Sequence, residues 1–258
     1  MKRAVEETSE QQQPKRPAAE SVNWRKFDVA KLNAANFSVS KGKFGGWAGS
    51  WTYSEARSTV VLTGPAMRVL HDPSVWDNEK ALEYGKDKKE LDPERKADKW
   101  NVELAASPEF AAKLDEYLNA IAGLVLKQLG FFLPESTPAF AKNNSVGVIA
   151  SKFYEVVKRD EKTGELVFKL DGRCEVGATS VPLVLEDRDG NALPPDAGLG
   201  RGSLVAPVFK MSSLYINKGF QNIKVYVEPV KFVVLEHVAP QARLEAASVR
   251  AALDDDDA

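Results

Sequence analysis

Apolar and polar residues alternate along most of this 258-residue chain, with a period of two in short runs that turn-forming residues interrupt. From Trp24 to Arg68 aromatic, β-branched and basic residues interleave, broken at Lys41-Gly42-Lys43 and Gly45-Gly46, which predicts short strands at 36–40, 50–54, 59–63 and 66–70. One interval follows a different rule. Phe110, Leu114, Tyr117, Leu118, Ile121, Leu124 and Val125 recur at spacings of three and four, behind a Ser107 N-cap and Pro108 at the first helical position. With Gly130 as the stop, this predicts one amphipathic packing helix over 107–130. The period of two then returns at 146–157, 166–170, 181–185, 203–211, 214–216 and 221–237. Turns are expected at Lys162-Thr163-Gly164, Asp189-Gly190-Asn191 and Asn217-Lys218-Gly219. Many short strands with one good helix argue for a mainly β fold, a small barrel with inserted elements and not a doubly wound sheet.

The remaining segments lack a pattern that could build a core. Residues 1–21 are rich in Glu, Gln, Pro, Lys and Ala and are expected to form a disordered arm. The stretch 77–103 mixes charges with few apolar residues and reads as an exposed insertion in a body spanning 22–239. Beyond it, 240–258 reads as an Ala-rich helix leading into Asp254-Asp255-Asp256-Asp257 near the end. Such a like-charged run cannot be buried, so it is a solvated tail that meets something basic or simply keeps the chain soluble. The chain carries a net −2, of which the four aspartates supply −4, leaving the remainder at +2. A mildly basic body with an acidic end fits a nucleic-acid binder carrying its own electrostatic competitor.

Composition removes other classes. No apolar run is long enough for a membrane span, and Met1-Lys2-Arg3 leads into acidic, Gln-rich sequence instead of a secretory signal. The single Cys174 forms no internal disulfide and fits a reducing, intracellular compartment. Two histidines and one cysteine are too few for a structural zinc site, so no metal or other cofactor is expected. His71-Asp72 lacks the further histidines of a metal-dependent phosphohydrolase. The Gly198-Leu199-Gly200-Arg201-Gly202 loop departs from phosphate-binding spacing and runs into β-type sequence, where such a loop needs a helix N-terminus. Catalysis is not expected.

Binding is expected, because cations and rings share predicted strands. The first region offers Lys41, Lys43, Phe44, Trp47, Trp51, Tyr53 and Arg57, with Trp51 and Tyr53 on one strand face and barrel core as their alternative place. In the last strand Ile223, Val225 and Val227 oppose Lys224, Tyr226 and Glu228, which puts Lys224 and Tyr226 outside if the aliphatic face is core. Lys152, Tyr154 and Lys158 oppose Phe153 and Val157 in the same way. Arg201, Lys210, Tyr215 and Lys218 complete the set. Rings that stack on bases, beside cations that track phosphates, hold single-stranded nucleic acid without reading its sequence.

Gly200-Arg201-Gly202-Ser203-Leu204-Val205, the run through Phe209, the Tyr215 strand, the Lys218-Gly219-Phe220 turn and the strand through Val233-Val234-Leu235 resemble the single-stranded DNA-binding proteins of T-odd phages. Relatives of that family occur in large nucleocytoplasmic DNA viruses. The resemblance implies an OB-fold, a five-stranded Greek-key barrel, with an inserted helix and extra strands. It implies a non-enzymatic role in viral DNA replication or recombination at a replication site in the host cell. It also implies dimerisation, and an acidic tail at Asp254, Asp255, Asp256 and Asp257 that contacts replication proteins such as a polymerase or helicase-primase. This chain ends on Ala258, whereas the phage tails end on an aromatic residue. An RNA-binding OB-fold protein and a β-rich viral structural or scaffold protein remain as alternatives.

Overall fold

The computed structural model describes residues 21–32, 37–41, 46–53, 60–76, 99–128, 145–173, 181–194, 197–217 and 220–240. Two long antiparallel strands form its spine: β11 (Leu204–Ile216) and β12 (Ile223–Glu236) pair along nearly their whole lengths. Register shifts between Leu204 and Val205, Val208 and Phe209, and Met211 and Ser213 interrupt that ladder. Bulges of this kind bend a strand and increase its twist. Accordingly β11 meets three short strands in turn on its other edge: β5 (Met67–Arg68), β4 (Val61–Thr63) and β3 (Trp47–Ser50). The hairpin partner of β3 is β2 (Ser38–Lys41), β1 (Val22–Asn23) runs parallel to β4, and β10 (Leu185–Glu186) runs parallel to β12. A second sheet, β6 (Ser74–Trp76), β7 (Lys99–Ala105), β9 (Leu166–Arg173) and β8 (Val157–Arg159), joins the first through the Val69–Leu104 bridge. The fold is mainly β, a half-barrel curled from these strands, with one long helix inserted.

That helix, α1 (Pro108–Lys127), starts where the sequence places it: the Ser107 side chain accepts a hydrogen bond from the Phe110 amide. Its apolar stripe closes the curled sheet. Phe110 packs edge-on against Trp24, Phe168 and Phe209, while Tyr117 packs against Phe27 and Trp51. Trp51 Nε1 donates to the Tyr117 hydroxyl at 2.6 Å, and that hydroxyl donates to the Met211 carbonyl at 2.7 Å. The chain of two bonds satisfies buried polar groups that would otherwise be costly, and burial pushes the Tyr117 phenol far above its ordinary range.

Five expectations change. The strand expected at 50–54 is β3 at Trp47–Ser50, so Trp51 and Tyr53 lie past its end and do not share a strand face, and the strand expected at 181–185 shrinks to Leu185–Glu186. Residues 146–150, read as the start of a strand, form a short helix, α2 (Val146–Ala150), because Ser145 caps it and Ile149 is wholly buried in the core. Within the stretch expected to be an exposed insertion, Lys99–Ala105 is the second strand of its sheet, with Trp100, Val102 and Leu104 buried; 77–98 lie outside the described residues. The two predicted strands 203–211 and 214–216 are one strand that passes through a bulge. The arm at 1–20, Gly130 and the expected helix after Pro240 also fall outside the described residues.

Candidate nucleic-acid interface

Strand alternation sorts the spine into two faces. The row Lys41–Trp47–Ile216–Ile223 turns inward, since Ile216 and Ile223 are fully buried, and Val39–Gly49–Leu214–Val225 marks the steps between. Leu214 and Val225 are themselves buried, so that row turns inward as well. Two rows remain partly open: Ser38–Ser50–Ser213–Tyr226 and Ser40–Ala48–Tyr215–Lys224.

 Residues two apart along a strand share a face, so the two buried rows together form the inward face and these two form the outward one. A fifth strand-like segment widens it. The Ile223 amide donates to the Lys152 carbonyl at 2.8 Å and the Tyr154 amide donates to the Ile223 carbonyl at 2.9 Å, a parallel bridge that pairs Phe153 with Ile223. Phe153 packs on the core with Ile223, which leaves Tyr154 on the outward side beside Lys224.

The outward face therefore gathers Tyr154, Tyr215 and Tyr226 around Lys224, whose Nζ lies 5.7 Å from the centre of the Tyr226 ring. Tyr154 is 53 % and Tyr226 41 % exposed, and Tyr215 is half-buried. Among the residues whose side chains are described, every other aromatic ring belongs to the hydrophobic core or packs against it. Toward β2 the face carries only small side chains, Ser38, Ser40, Ala48 and Ser50, with the Ser38 and Ser50 hydroxyls 2.7 Å apart. Among the described residues nothing bulky rises beside the rings there. The hairpin that bears them is fixed at its turn: Asn217 accepts from the amides of Gln221 and Asn222, and buried Phe220 holds a left-handed backbone at φ 57. A non-glycine residue pays roughly 1–2 kcal/mol for that conformation, which burial of its ring offsets.

No family model and no curated protein matches the chain. Solved structures similar to it include gp2.5, a single-stranded DNA binding protein encoded by bacteriophage T7, at a TM-score of 0.42 and 12 % identity over 70 % of this chain and 89 % of that one. The single-stranded DNA-binding protein from bacteriophage Enc34 in complex with single-stranded DNA is similar at a TM-score of 0.39 and 10 % identity, over 80 % of this chain and 98 % of that one. A C-terminal truncation of the Enc34 protein is similar at 0.36 and 10 %, over 81 % and 99 %.

Of the residues expected to bind, Tyr154, Tyr215, Lys224 and Tyr226 come together on this face. Others do not. Trp51 is 2 % exposed and Tyr53 9 %; Trp51 is tied to Tyr117, and Tyr53 stacks on Phe27, so the expectation that they stack on bases is corrected to their alternative place in the core. Trp47 lies on the inward row and packs against the core, while Lys41 ends β2 exposed on that same row. Lys210 stands on the outward side but its Nζ is 2.6 Å from Glu228. Lys152 holds its ammonium 5.7 Å from the Phe220 ring, and Lys158 belongs to β8 in the second sheet. Arg201, whose amide donates to Asp72 Oδ1 at 2.6 Å, precedes β11 at the end opposite Tyr215. Lys43, Phe44, Arg57, Lys218 and Asp254, Asp255, Asp256 and Asp257 lie outside the described residues. Sequence reasoning missed the small residues Ala48, Ser50 and Ser213; the signal for them is their pairing opposite the rings, which only the register supplies.

Proposed function

We propose that this chain binds single-stranded DNA without reading its sequence, stacking bases on Tyr154, Tyr215 and Tyr226 while Lys224 meets phosphate. The observation that carries this reading is the segregation of rings. A fold that buries or half-covers its other described aromatics leaves these three together on one outward sheet face, around one lysine. Unpaired bases offer π-faces to such rings, and duplex DNA does not. The support comes from this chain's own surface and not from its likeness to the phage proteins.

The same proposal extends to the chain's setting. A place among T-odd phage-type proteins and their viral relatives, a non-enzymatic role in DNA replication or recombination, and a viral replication site as its location all follow from the sequence resemblance. So do dimerisation and a tail at Asp254–Asp257 that competes for the cations and recruits replication proteins. Fluorescence anisotropy with labelled oligo-dT, the matched duplex and an RNA oligomer tests the core of it. Tight binding to oligo-dT with weak binding to the duplex is expected. Equal binding to both DNAs would overturn the reading, and preference for the RNA oligomer would move the substrate from DNA to RNA.

A further inference from the structure

Tyr215 differs from the other two rings on the face because its phenol end rests on backbone. Its cross-strand partner on β3 is Ala48, and two residues before Ala48, in the bend that leads into β3, is Gly46. A Cβ placed on Gly46 would overlap the Tyr215 hydroxyl and stand 2.6 Å from ring carbon Cζ and 2.5 Å from the Ile216 carbonyl oxygen. Real Cβ atoms do not approach other heavy atoms so closely, so only glycine fits while the ring and the Ile216 carbonyl keep these positions. The far end of the ring therefore reaches across from β11 to the bend before β3 and lies down over Gly46.

We propose that Gly46 is a positioning residue for base stacking: by leaving a bed without a Cβ, it lets the Tyr215 ring lie along the sheet with its outer side open to one base. This rests on the single-strand reading above. A ring held down in advance loses little rotamer freedom when a base arrives, which is the ordinary advantage of a preorganised contact. Ala48 contributes by being small, since a longer side chain there would rise against the ring's edge. Any larger residue at position 46 must displace the ring, the flexible partner of the clash, and shift the strand against the Ile216 carbonyl as well.

A double-mutant cycle on the full chain tests this, with labelled oligo-dT as the probe. Tyr215→Ala is expected to weaken binding about 5- to 100-fold, the range for loss of one stacked base. Gly46→Ala is expected to weaken it by a similar factor, and the pair together by no more than Tyr215→Ala alone. Nitration by tetranitromethane, read by mass spectrometry, reports the ring directly: Tyr215 should react faster in Gly46→Ala than in the unaltered chain, and oligo-dT should protect it in the unaltered chain. If Gly46→Ala does not fold, Ala48→Leu at an exposed position replaces it in the cycle, with the same loss expected only while Tyr215 is present. Unchanged binding by the folded variant, multiplying losses in the pair, or Tyr215 left unprotected while oligo-dT is bound would each overturn the inference and leave single-strand binding standing. Failure of the unaltered chain to bind oligo-dT would overturn both.

Discussion

Tyr226 on β12 and Trp51 just past the end of β3 are both rings of the same sheet region, yet they answer to different forces. Tyr226 is exposed and makes its one described ring contact with Lys224, so truncating it removes little that the fold depends on. Tyr226→Ala should weaken oligo-dT binding by about 1–3 kcal/mol and leave the melting temperature nearly unchanged. Trp51→Ala should do the reverse, costing about 3–5 kcal/mol of stability through the cavity it opens and the Tyr117 hydroxyl it deprives of a donor. For a chain of this size that is a fall of roughly 6–20 °C, and paired melting and binding curves for the two variants read both effects. Alternation made Lys224, Tyr226 and Tyr154 legible as outward residues, because an aliphatic face opposes them. No such opposition marks Trp51 and Tyr53, whose neighbours on both sides are polar or small, so only packing could place them.

At the scale of elements, α1 was legible because its apolar spacing, N-cap and first-turn proline agree with one another. The helix α2 was not: Val-Gly-Val-Ile has the composition of a strand, and packing against α1 with Ile149 buried overrides that preference. β7 was hidden for a related reason, since charged and polar residues on its outward side mask the buried Trp100, Val102 and Leu104. The outer side of α1 carries a titration that can be checked. Asp115 is held above the usual carboxylate range, first by partial burial and then by Glu155. A raised folded-state value means that the folded chain holds this proton more tightly than the unfolded one. The favourable contribution is thus present at low pH and lost as pH rises through the folded value. Asp115→Asn should therefore melt higher than the unaltered chain near neutral pH, with the gap closing in acid as the native carboxyl is protonated; melting curves across a pH series check the sign.

Considered whole, the molecule joins a curled half-barrel to a face that, among the described residues, is aromatic and only lightly charged. Lys224 is the cation at its centre, and Lys210 is engaged by Glu228. With about one to three phosphate contacts, log Kd should change with log salt by a slope of only about 0.7 to 2 in magnitude, from roughly 0.7 per contact on single strands. Glu228→Gln frees Lys210 and should steepen that slope, which a salt series of anisotropy titrations would register. The mainly β, curled architecture was legible because short alternating runs with one helix admit few others, whereas the placement of Tyr154 beside Lys224 depends on a parallel bridge between segments 70 residues apart in sequence, from Phe153 to Ile223, that no local pattern announces. The most direct measurement is the affinity for labelled oligo-dT of the variant Tyr154→Ala, Tyr215→Ala, Tyr226→Ala beside the unaltered chain. The account predicts a folded variant with an unchanged melting temperature that has lost at least about 100-fold in affinity, from about 1–3 kcal/mol per ring. A folded variant that binds oligo-dT as tightly as the unaltered chain would contradict it.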